Sequence, residues 1–242
     1  MLHASFHVII RSSDYKKGRI YKLKIAIIKF FKKYSHAWVL LYTFIYMPWF
    51  TYLERHVTKD YHLIHSSLDR HIPFVEYFII PYLLWFAFIA AVLIYFFFTD
   101  KIDFYRMTAF MFTGMTIFLI VCTFYPNGQH LRPHTFIRDN IFVDLVKLLY
   151  EKDTPTNVLP SIHVFNSLSA MIAIAHSKAL KKHRMVQISS YFLAVLIILS
   201  TVFLKQHSII DVIAAFCMAG VIYPFVYAIQ PKKVTGAAHQ TV

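Results

Sequence analysis

Long apolar stretches recur along the chain, and short polar segments separate them. A helix needs ~20 apolar residues to cross the ~30 Å hydrocarbon core of a bilayer, and six stretches approach that length. The pattern therefore predicts an all-α, polytopic membrane protein with six transmembrane helices in one bundle. The predicted spans cover residues 36–54, 77–98, 105–124, 161–177, 186–204 and 209–229.

The fourth predicted span is short and carries four polar side chains, which makes it the least regular of the six. Short connections join the last three spans, and this favours one compact bundle over two separate domains. The polar side chains are those of Asn166, Ser167, Ser169 and His176.

The longest connection, residues 125–160, has a pattern of its own. It opens with the turn signal Tyr125-Pro126-Asn127-Gly128. Apolar and charged residues then alternate at helical spacing, which predicts a short amphipathic helix on the outer membrane interface. This helix is either a connector anchored to the surface or one wall of a mouth that admits a lipid head group. Its apolar positions are Ile137, Ile141, Phe142, Leu145, Leu148 and Leu149.

The N-terminal part of the chain is basic. Residues 20–34 alternate basic and apolar side chains at roughly helical spacing, as in a helix that lies on the inner membrane surface. We expect a basic, cytoplasmic, amphipathic segment at 1–35, a six-span membrane domain at 36–230 and a cytoplasmic tail at 231–242.

The composition excludes an ordinary soluble domain. Of the 242 residues, 58% are hydrophobic and 15% charged, and the mean hydropathy is +0.53. Soluble domains are about half apolar and about a quarter charged. Cys122 and Cys217 both fall inside predicted spans, so we expect no disulfide.

The net charge of +13 is distributed unevenly. If the predicted spans alternate in direction, 17 of the 25 Lys and Arg residues lie on the side of the N-terminus and 8 on the other. This is the positive-inside pattern, so both termini are expected in the cytoplasm. Basic runs such as Lys16-Lys17-Gly18-Arg19 then contact anionic lipid, and we expect the membrane, not nucleic acid, as the partner.

Four histidines lie in the first predicted outer loop. Their spacing matches no known ligand motif, and few carboxylates lie near them in the sequence. The pattern therefore predicts surface histidines and no metal site. These residues are His56, His62, His65 and His71.

His207 and Asp211 stand four residues apart at the start of the last span, so they share one face of a helix. A carboxylate behind an imidazole fixes the tautomer of the ring and raises its basicity, which frees the other nitrogen as nucleophile or base. Ionisable pairs are costly where a chain enters a membrane. A functional role is therefore favoured over a pair that only satisfies itself.

Two further short sequence motifs are predicted on the same side of the membrane as His207 and Asp211. Ser161 is a candidate N-cap of the fourth span, whose positive end favours phosphate, and His163 then stands in the first turn, able to protonate a leaving oxygen. Arg132, followed by Pro133, can grip phosphate oxygens in two places. Taken alone, each motif is also compatible with an ordinary helix cap or an ordinary surface residue. Together the motifs suit phosphorus chemistry on lipids.

Together these strings resemble the three motifs of the type 2 phosphatidic acid phosphatase superfamily, which also includes vanadium haloperoxidases and lipid phosphotransferases. The family pattern is K-x6-R-P, then P-S-G-H, then S-R-x5-H-x3-D. The resemblance covers residues 125–211 and implies the helical core of the phosphatases and haloperoxidases. The matching strings are Tyr125 to Arg132-Pro133, Pro160-Ser161-Ile162-His163, and Ser200-Thr201 with His207 and Asp211.

The resemblance implies a role for each of these residues. His207 would attack phosphorus and carry a phosphoenzyme intermediate, Asp211 would orient it, and His163 would protonate the leaving group. Arg132 and Ser161 would hold the phosphoryl oxygens. The scheme needs no cofactor and no metal, and its substrate is a lipid phosphate.

The chain departs from the family pattern at three positions: Tyr125 stands for Lys, Ile162 for Gly and Thr201 for Arg. Two of the cations that neutralise phosphate are therefore missing. Lys205, two residues before His207, is either a phosphate-binding replacement for one of them or an ordinary lysine at the interface. Loss of the third-motif Arg beside the retained histidine and aspartate is closer to the phosphotransferases than to the phosphatases.

We expect a lipid phosphatase that hydrolyses a lipid phosphate or diphosphate through a phosphohistidine, because water needs no acceptor pocket. The alternatives are a head-group phosphotransferase, like the inositol-phosphorylceramide and sphingomyelin synthases, an inactive relative, and a non-catalytic carrier or scaffold. A carrier is disfavoured because, apart from Asp211, the interiors of the spans hold almost no carboxylates or cations. The small size and the lack of a recognised targeting segment predict a bacterial plasma membrane, with the site on the extracytoplasmic face.

Overall fold

The computed structural model describes residues 24–25 and 28–228, and this part of the chain is mostly helical. The predicted cytoplasmic tail and the basic run at 16–19 lie outside the described residues. The chain divides after Leu41 into two compact units. In the first unit, residues 28–33 are helical.

The second unit begins at Tyr42 and, within its described part, contains seven α-helices and two short strands. The helices are α1 (Thr43–His56), α2 (Ile79–Thr99), α3 (Lys101–Phe124), α4 (Ile141–Lys152), α5 (Ile162–His176), α6 (Arg184–Phe203) and α7 (Ile209–Tyr223). Strands β1 (His62–Leu63) and β2 (Asn127–Gly128) pair in parallel. Short 3₁₀ turns cover Ser67–Arg70, Glu76–Phe78 and Leu180–Lys182, and a π turn at Pro224–Ala228 follows α7.

Among the described residues, four helical segments are long and apolar enough to cross a membrane, and they agree with four of the six predicted spans. The six-span count is not confirmed. Helix α5 is apolar but only 15 residues long, and the segment predicted at 36–54 consists of a 3₁₀ stretch followed by α1. The four long segments are Glu76–Thr99, Lys101–Phe124, Arg184–Phe203 and Ile209–Ala228.

Helix α5 lies at the centre of the bundle, where it contacts α2, α3, α6 and α7. Its polar side chains Asn166, Ser167 and Ser169 are buried against these neighbours. Ser167 donates its hydroxyl to the His163 carbonyl one turn earlier, at 2.7 Å. Polar groups are tolerated inside a membrane protein where protein surrounds them, since lipid offers no hydrogen bonds. The polarity of the fourth predicted span therefore reflects its central position.

Close packing between α3 and α5 depends on Gly114. A Cβ atom on Gly114 would lie 2.1 Å from Cε1 of Phe165 and 2.3 Å from its Cζ, well inside van der Waals contact. The Phe165 ring is fully buried and stacks on Phe110, with ring centroids 5.0 Å apart. The ring therefore cannot move aside without disturbing the core.

The connection between α3 and α5 contains α4, which confirms a helix in this connection. The helix begins at Ile141, so Ile137, predicted on its apolar face, lies before it and is exposed. Asn140 caps its start by accepting, at 3.0 Å, the N–H groups two and three residues further on. Val143 and Val146 are buried beneath the helix, whereas Ile141 and Leu148 stay exposed. The exposed apolar side chains suit a position at a membrane surface.

We expect Gly114→Ala to destabilise the protein by about 1–3 kcal/mol, because the added methyl group overpacks the contact with Phe165. Gly220→Ala is the matched control, since a Cβ at Gly220 on α7 meets no atom within 4 Å. Thermal unfolding of both variants in detergent measures the difference. Equal melting temperatures would contradict the close contact between α3 and α5.

Candidate active site

His207 and Asp211 form a buried pair at the start of α7. Nδ1 of His207 lies 3.3 Å from Oδ2 of Asp211, and their relative exposures are 8% and 0%. The same carboxylate oxygen accepts the Ser208 N–H at 2.9 Å, as part of a capping box. These bonds fix Asp211 at the Nδ1 edge of the imidazole, so the opposite edge of the ring presents Nε2 for chemistry.

A tight turn at the end of α6 positions His207. The His207 N–H donates to the Thr201 carbonyl at 3.0 Å, which closes the helix. Lys205 takes a left-handed backbone conformation (φ 55°) that is uncommon for residues other than glycine. Its ammonium group holds that conformation by donating to the carbonyls of Asp69 (2.7 Å) and Ile72 (2.5 Å).

Asp69, from the loop between β1 and α2, anchors the other side of this turn. Its buried carboxylate accepts the Ser208 hydroxyl at 2.7 Å, the Ile209 N–H at 2.9 Å and the Ser66 N–H at 2.7 Å. The positive end of α7 favours a carboxylate here. The motif pattern contains no signal for Asp69, because 139 positions separate it from Ser208.

Ser161 caps α5, as predicted, with its Oγ accepting the Val164 N–H at 3.4 Å. The Ser161 N–H donates to the Asp211 carbonyl at 3.2 Å, which joins the second motif to the third. Asn127 fixes the segment just before this cap. Its Oδ1 accepts the backbone N–H groups of Val158 and Leu159, both at 2.9 Å. The start of α5 is therefore bonded to both neighbouring motifs.

His163 stands in the first turn of α5 against two aromatic rings of α2. Its ring centroid lies 4.6 Å from that of Tyr82 and 4.4 Å from that of Trp85. The ring centroid of His207 is 5.9 Å away. Reacting atoms in near-attack arrangements lie about 3–3.5 Å apart. The spacing therefore suits one phosphoryl group bound between the two imidazoles.

The Arg132 guanidinium is fully bonded to protein. Nη1 donates to the carbonyls of Tyr150 (3.2 Å) and Asp153 (2.8 Å), and Nη2 donates to the Thr154 carbonyl (3.1 Å). Nε and Nη2 donate to Oε1 of Gln206, at 3.1 and 2.6 Å. These bonds occupy the five N–H donors of an arginine, and three of them satisfy carbonyls at the C-terminal end of α4. Phosphate binding by Arg132 stays a prediction.

Two buried glutamines complete the connection between the first and third motifs. Gln129 donates its Nε2 to the Lys205 carbonyl at 3.0 Å, and Gln206 accepts from Arg132 as described above. All three motifs therefore meet at the turn between α6 and α7. The ammonium group of Lys205 points to loop carbonyls instead of the His207 ring, so its phosphate-binding role also stays a prediction.

A cavity of about 390 Å³ opens beside the two histidines. Helices α1, α2 and α3 supply its apolar walls, and the segments around the second and third motifs supply its polar end. Met47 and Phe86 on the apolar side are about half exposed, so this side faces out of the bundle. The shape suits a molecule with a polar head group and an apolar chain. The apolar walls include Tyr46, Met47, Phe50, Trp85, Phe86 and Phe118.

Glu54, at the end of α1, lies at the polar end of this cavity. Its Oε1 accepts the Asn157 amide at 2.7 Å, and its Oε2 accepts the Thr154 hydroxyl at 2.5 Å. A carboxylate with two donors is well supported in a partly buried position. No motif contains Glu54, because two helices, α2 and α3, separate it from the first motif.

Asp153 faces the same polar end from the residue after α4. Its Oδ2 accepts the Tyr82 hydroxyl at 3.2 Å and the Gln206 amide at 3.3 Å. Burial raises the pKa of the Asp153 carboxyl, and the positive charge of Arg132 opposes that rise. Asp153 thus links the aromatic wall behind His163 to the third motif.

The positions at which the family has cations hold uncharged side chains. The Tyr125 ring stacks on His62, with ring centroids 4.2 Å apart. Thr201 is fully buried and donates its hydroxyl to the Ile198 carbonyl at 2.8 Å. Among the described residues that line the cavity, Lys152 is the single lysine or arginine.

Comparison with known proteins gives one match. A family model described as the PAP2 superfamily matches residues 127–235, which include α4 to α7 and all the histidines and carboxylates of the predicted motifs. No curated protein and no solved structure matches the chain significantly. Members of the superfamily are phosphoesterase-type enzymes. The match over residues 127–235 is consistent with a member of the type 2 phosphatidic acid phosphatase superfamily, the family that the three motifs resemble.

Proposed function

We propose that this protein cleaves a phosphorus–oxygen bond of a phosphorylated lipid through a phosphohistidine formed on His207. The observation that carries the proposal is the pair of neighbouring imidazoles, His163 and His207, at the polar end of a cavity with apolar walls. Asp211 behind His207 makes that ring the better nucleophile. The match of residues 127–235 to the PAP2 superfamily model supports the same chemistry.

In the first step, Nε2 of His207 attacks phosphorus, and the bond from phosphorus to the leaving oxygen breaks. A protonated His163 gives its proton to that oxygen, which leaves as an alcohol. Nδ1 of His207 keeps its hydrogen, and Asp211 stabilises the positive charge on the phosphorylated ring. Backbone N–H groups at the start of α5, with the positive end of that helix, stabilise the charge on the phosphoryl oxygens.

In the second step, the neutral His163 takes a proton from water, whose oxygen attacks phosphorus. The phosphorus–nitrogen bond breaks and His207 recovers its lone pair, so the net reaction consumes one water. Water needs no acceptor pocket of its own, which favours hydrolysis at this site. Transfer to an alcohol group of a second lipid is the other candidate, and the uncharged Thr201 in place of the family Arg favours it.

Arg132, Ser161 and Lys205 support this chemistry by holding the segments around the cavity in place. Arg132 and Lys205 hold the end of α4 and the loop around Asp69, and neither side chain lines the cavity. Direct contact between Arg132 and phosphate requires the guanidinium to exchange one of its protein bonds. The phosphate-binding roles predicted for these three residues stay predictions.

We also propose that α1 and α5 complete a six-span arrangement with the four long apolar segments. The excess of Lys and Arg on the side of the N-terminus supports cytoplasmic termini and a site on the extracytoplasmic face of a bacterial plasma membrane. The basic segment 1–35 and the tail 231–242 then flank the catalytic domain at 36–230 on the cytoplasmic side.

Replacing His207 with Ala removes the nucleophile, and we expect kcat to fall by at least about 10³-fold in a protein that still folds. Release of diacylglycerol from phospholipids in detergent micelles measures the activity. His176→Ala is the matched control, because His176 lies at the opposite end of α5 and bonds to Tyr223. Full activity in His207→Ala would refute the proposed function.

Replacing Asp211 with Asn keeps the shape of the side chain and removes the charge behind His207. We expect kcat to fall by about 10²–10⁴-fold, with little change in KM, since the carboxylate acts on the ring and not on the lipid. Steady-state kinetics on the same lipid separate the two parameters. A raised KM with an unchanged kcat would contradict the orienting role.

Replacing Asp69 with Asn weakens the bonds that hold the start of α7. We expect kcat to fall by about tenfold, because His207 and Asp211 lose their fixed position, while KM stays close to that of the unchanged protein. Asp60→Asn is the matched control, since Asp60 is exposed in the same connection. Equal kcat values for the two variants would show that Asp69 has no positioning role.

A further inference from the structure

The charges at the polar end of the cavity do not suit a doubly charged phosphate. Among the described residues that line the cavity, Glu54 and Asp153 carry carboxylates and Lys152 is the single lysine or arginine. Sites for phosphate dianions commonly concentrate arginine, lysine or metal ions. Here two acids and one base share the space with the histidines.

The cationic side chains of the motifs do not add positive charge to the lining of the cavity. The five N–H donors of Arg132 all bond to protein acceptors, and Lys205 donates to two loop carbonyls. Neither of them lines the cavity. Tyr125 and Thr201 stand where the family has its other two cations. The phosphate therefore relies on the start of α5, on Lys152 and on the histidines.

Glu54 is held as an acceptor. The Asn157 amide and the Thr154 hydroxyl donate hydrogen bonds to it. Such bonds favour the ionised form of a carboxylate, whereas the burial of Glu54 acts in the opposite direction. Asn157 has a left-handed backbone (φ 56°) where it makes this bond, a conformation that asparagine tolerates better than most residues. The local chain is thus shaped around the carboxylate.

Asp153 is held in the same way from the opposite wall. Tyr82 and Gln206 both donate to its Oδ2, at 3.2 and 3.3 Å. The ring of Tyr82 also stacks on His163, so a charge on Asp153 lies close to the group that protonates the leaving oxygen. Additional negative charge on the substrate would meet this carboxylate in a partly desolvated site.

We propose that the lipid cleaved here is a phosphodiester, and that Glu54 and Asp153 set this specificity by disfavouring doubly charged phosphomonoesters. The inference rests on the proposed function and names its substrate class. A phosphomonoester carries a charge of about −1.5 to −2 at pH 7, whereas the phosphate of a diester carries one negative charge. The remaining lone pairs of the two carboxylates suit a head group with hydroxyl or ammonium donors.

The two-step scheme accommodates a diester without change. His207 attacks phosphorus, the bond to the glycerol oxygen of diacylglycerol breaks, and His163 protonates that oxygen. The head group stays on the phosphorus that is now bonded to Nε2. Water then attacks phosphorus, gives a proton to His163 and displaces the ring. The products are diacylglycerol and the phosphate monoester of the head group, for one water consumed.

The test compares phosphatidate with phosphatidylglycerol and phosphatidylethanolamine of the same acyl chains, using the full-length protein in mixed micelles. Diacylglycerol is the common product, and its quantification by mass spectrometry gives kcat/KM for each lipid. We expect the unchanged protein to prefer at least one diester over phosphatidate by about tenfold or more.

Two variants test the carboxylates directly. Glu54→Gln and Asp153→Asn keep the size of each side chain, and the Thr154 and Tyr82 hydroxyls that bond to them can reverse from donor to acceptor. Each variant is expected to move the kcat/KM ratio toward phosphatidate by about tenfold. Asp139→Asn is the matched control, because the side chain of Asp139 is 95% exposed outside the cavity.

The outcomes separate this inference from the function on which it rests. A preference of the unchanged protein for phosphatidate, or a ratio that neither Glu54→Gln nor Asp153→Asn changes, overturns the diester assignment even if His207→Ala abolishes cleavage. An equal shift in Asp139→Asn overturns it as well, since net charge and not position would then decide. Cleavage of none of the three lipids, or full activity in His207→Ala, overturns the proposed function itself.

Discussion

The turn between α6 and α7 holds the three motifs together, because each motif and the loop around Asp69 are bonded to it or to the start of α7. Gln206 bonds to the first motif, the Asp211 carbonyl to the second, and Lys205 to the loop that carries Asp69. Hydrogen bonds buried in a helix bundle have no water to replace them. Segments that lie far apart in the sequence are therefore held in one arrangement around His207.

In this arrangement, different groups stabilise the cavity wall and face the expected position of the phosphoryl group. Arg132 uses its charge to close the end of α4 and to orient Gln206, and so it builds the wall of the cavity. The start of α5 offers backbone N–H groups and a positive helix end at the place where a phosphoryl group would lie. Glu54 and Asp153 line the same cavity, and no motif contains them.

Much of the fold follows from the hydrophobic pattern. Four of the predicted spans are long apolar helices, and the amphipathic helix predicted in the long connection is α4. The hydrophobic pattern is less informative where the helices are short. The segment at 36–54 combines a 3₁₀ stretch with α1, which contains Pro48. A window of apolar residues reports transfer into lipid, and it does not distinguish one long helix from two shorter pieces.

The pairing of His207 with Asp211 and the cap at Ser161 could be predicted from the sequence, because each contact forms within one helix turn. It also determined the membrane-spanning pattern, which depends only on local hydrophobicity. The tertiary structure alone decided that Glu54, Asp69 and Asp153 join the site and that Arg132 is bound by protein. Those contacts bring together residues separated by many tens of positions, and no local periodicity encodes which loop packs against which helix end.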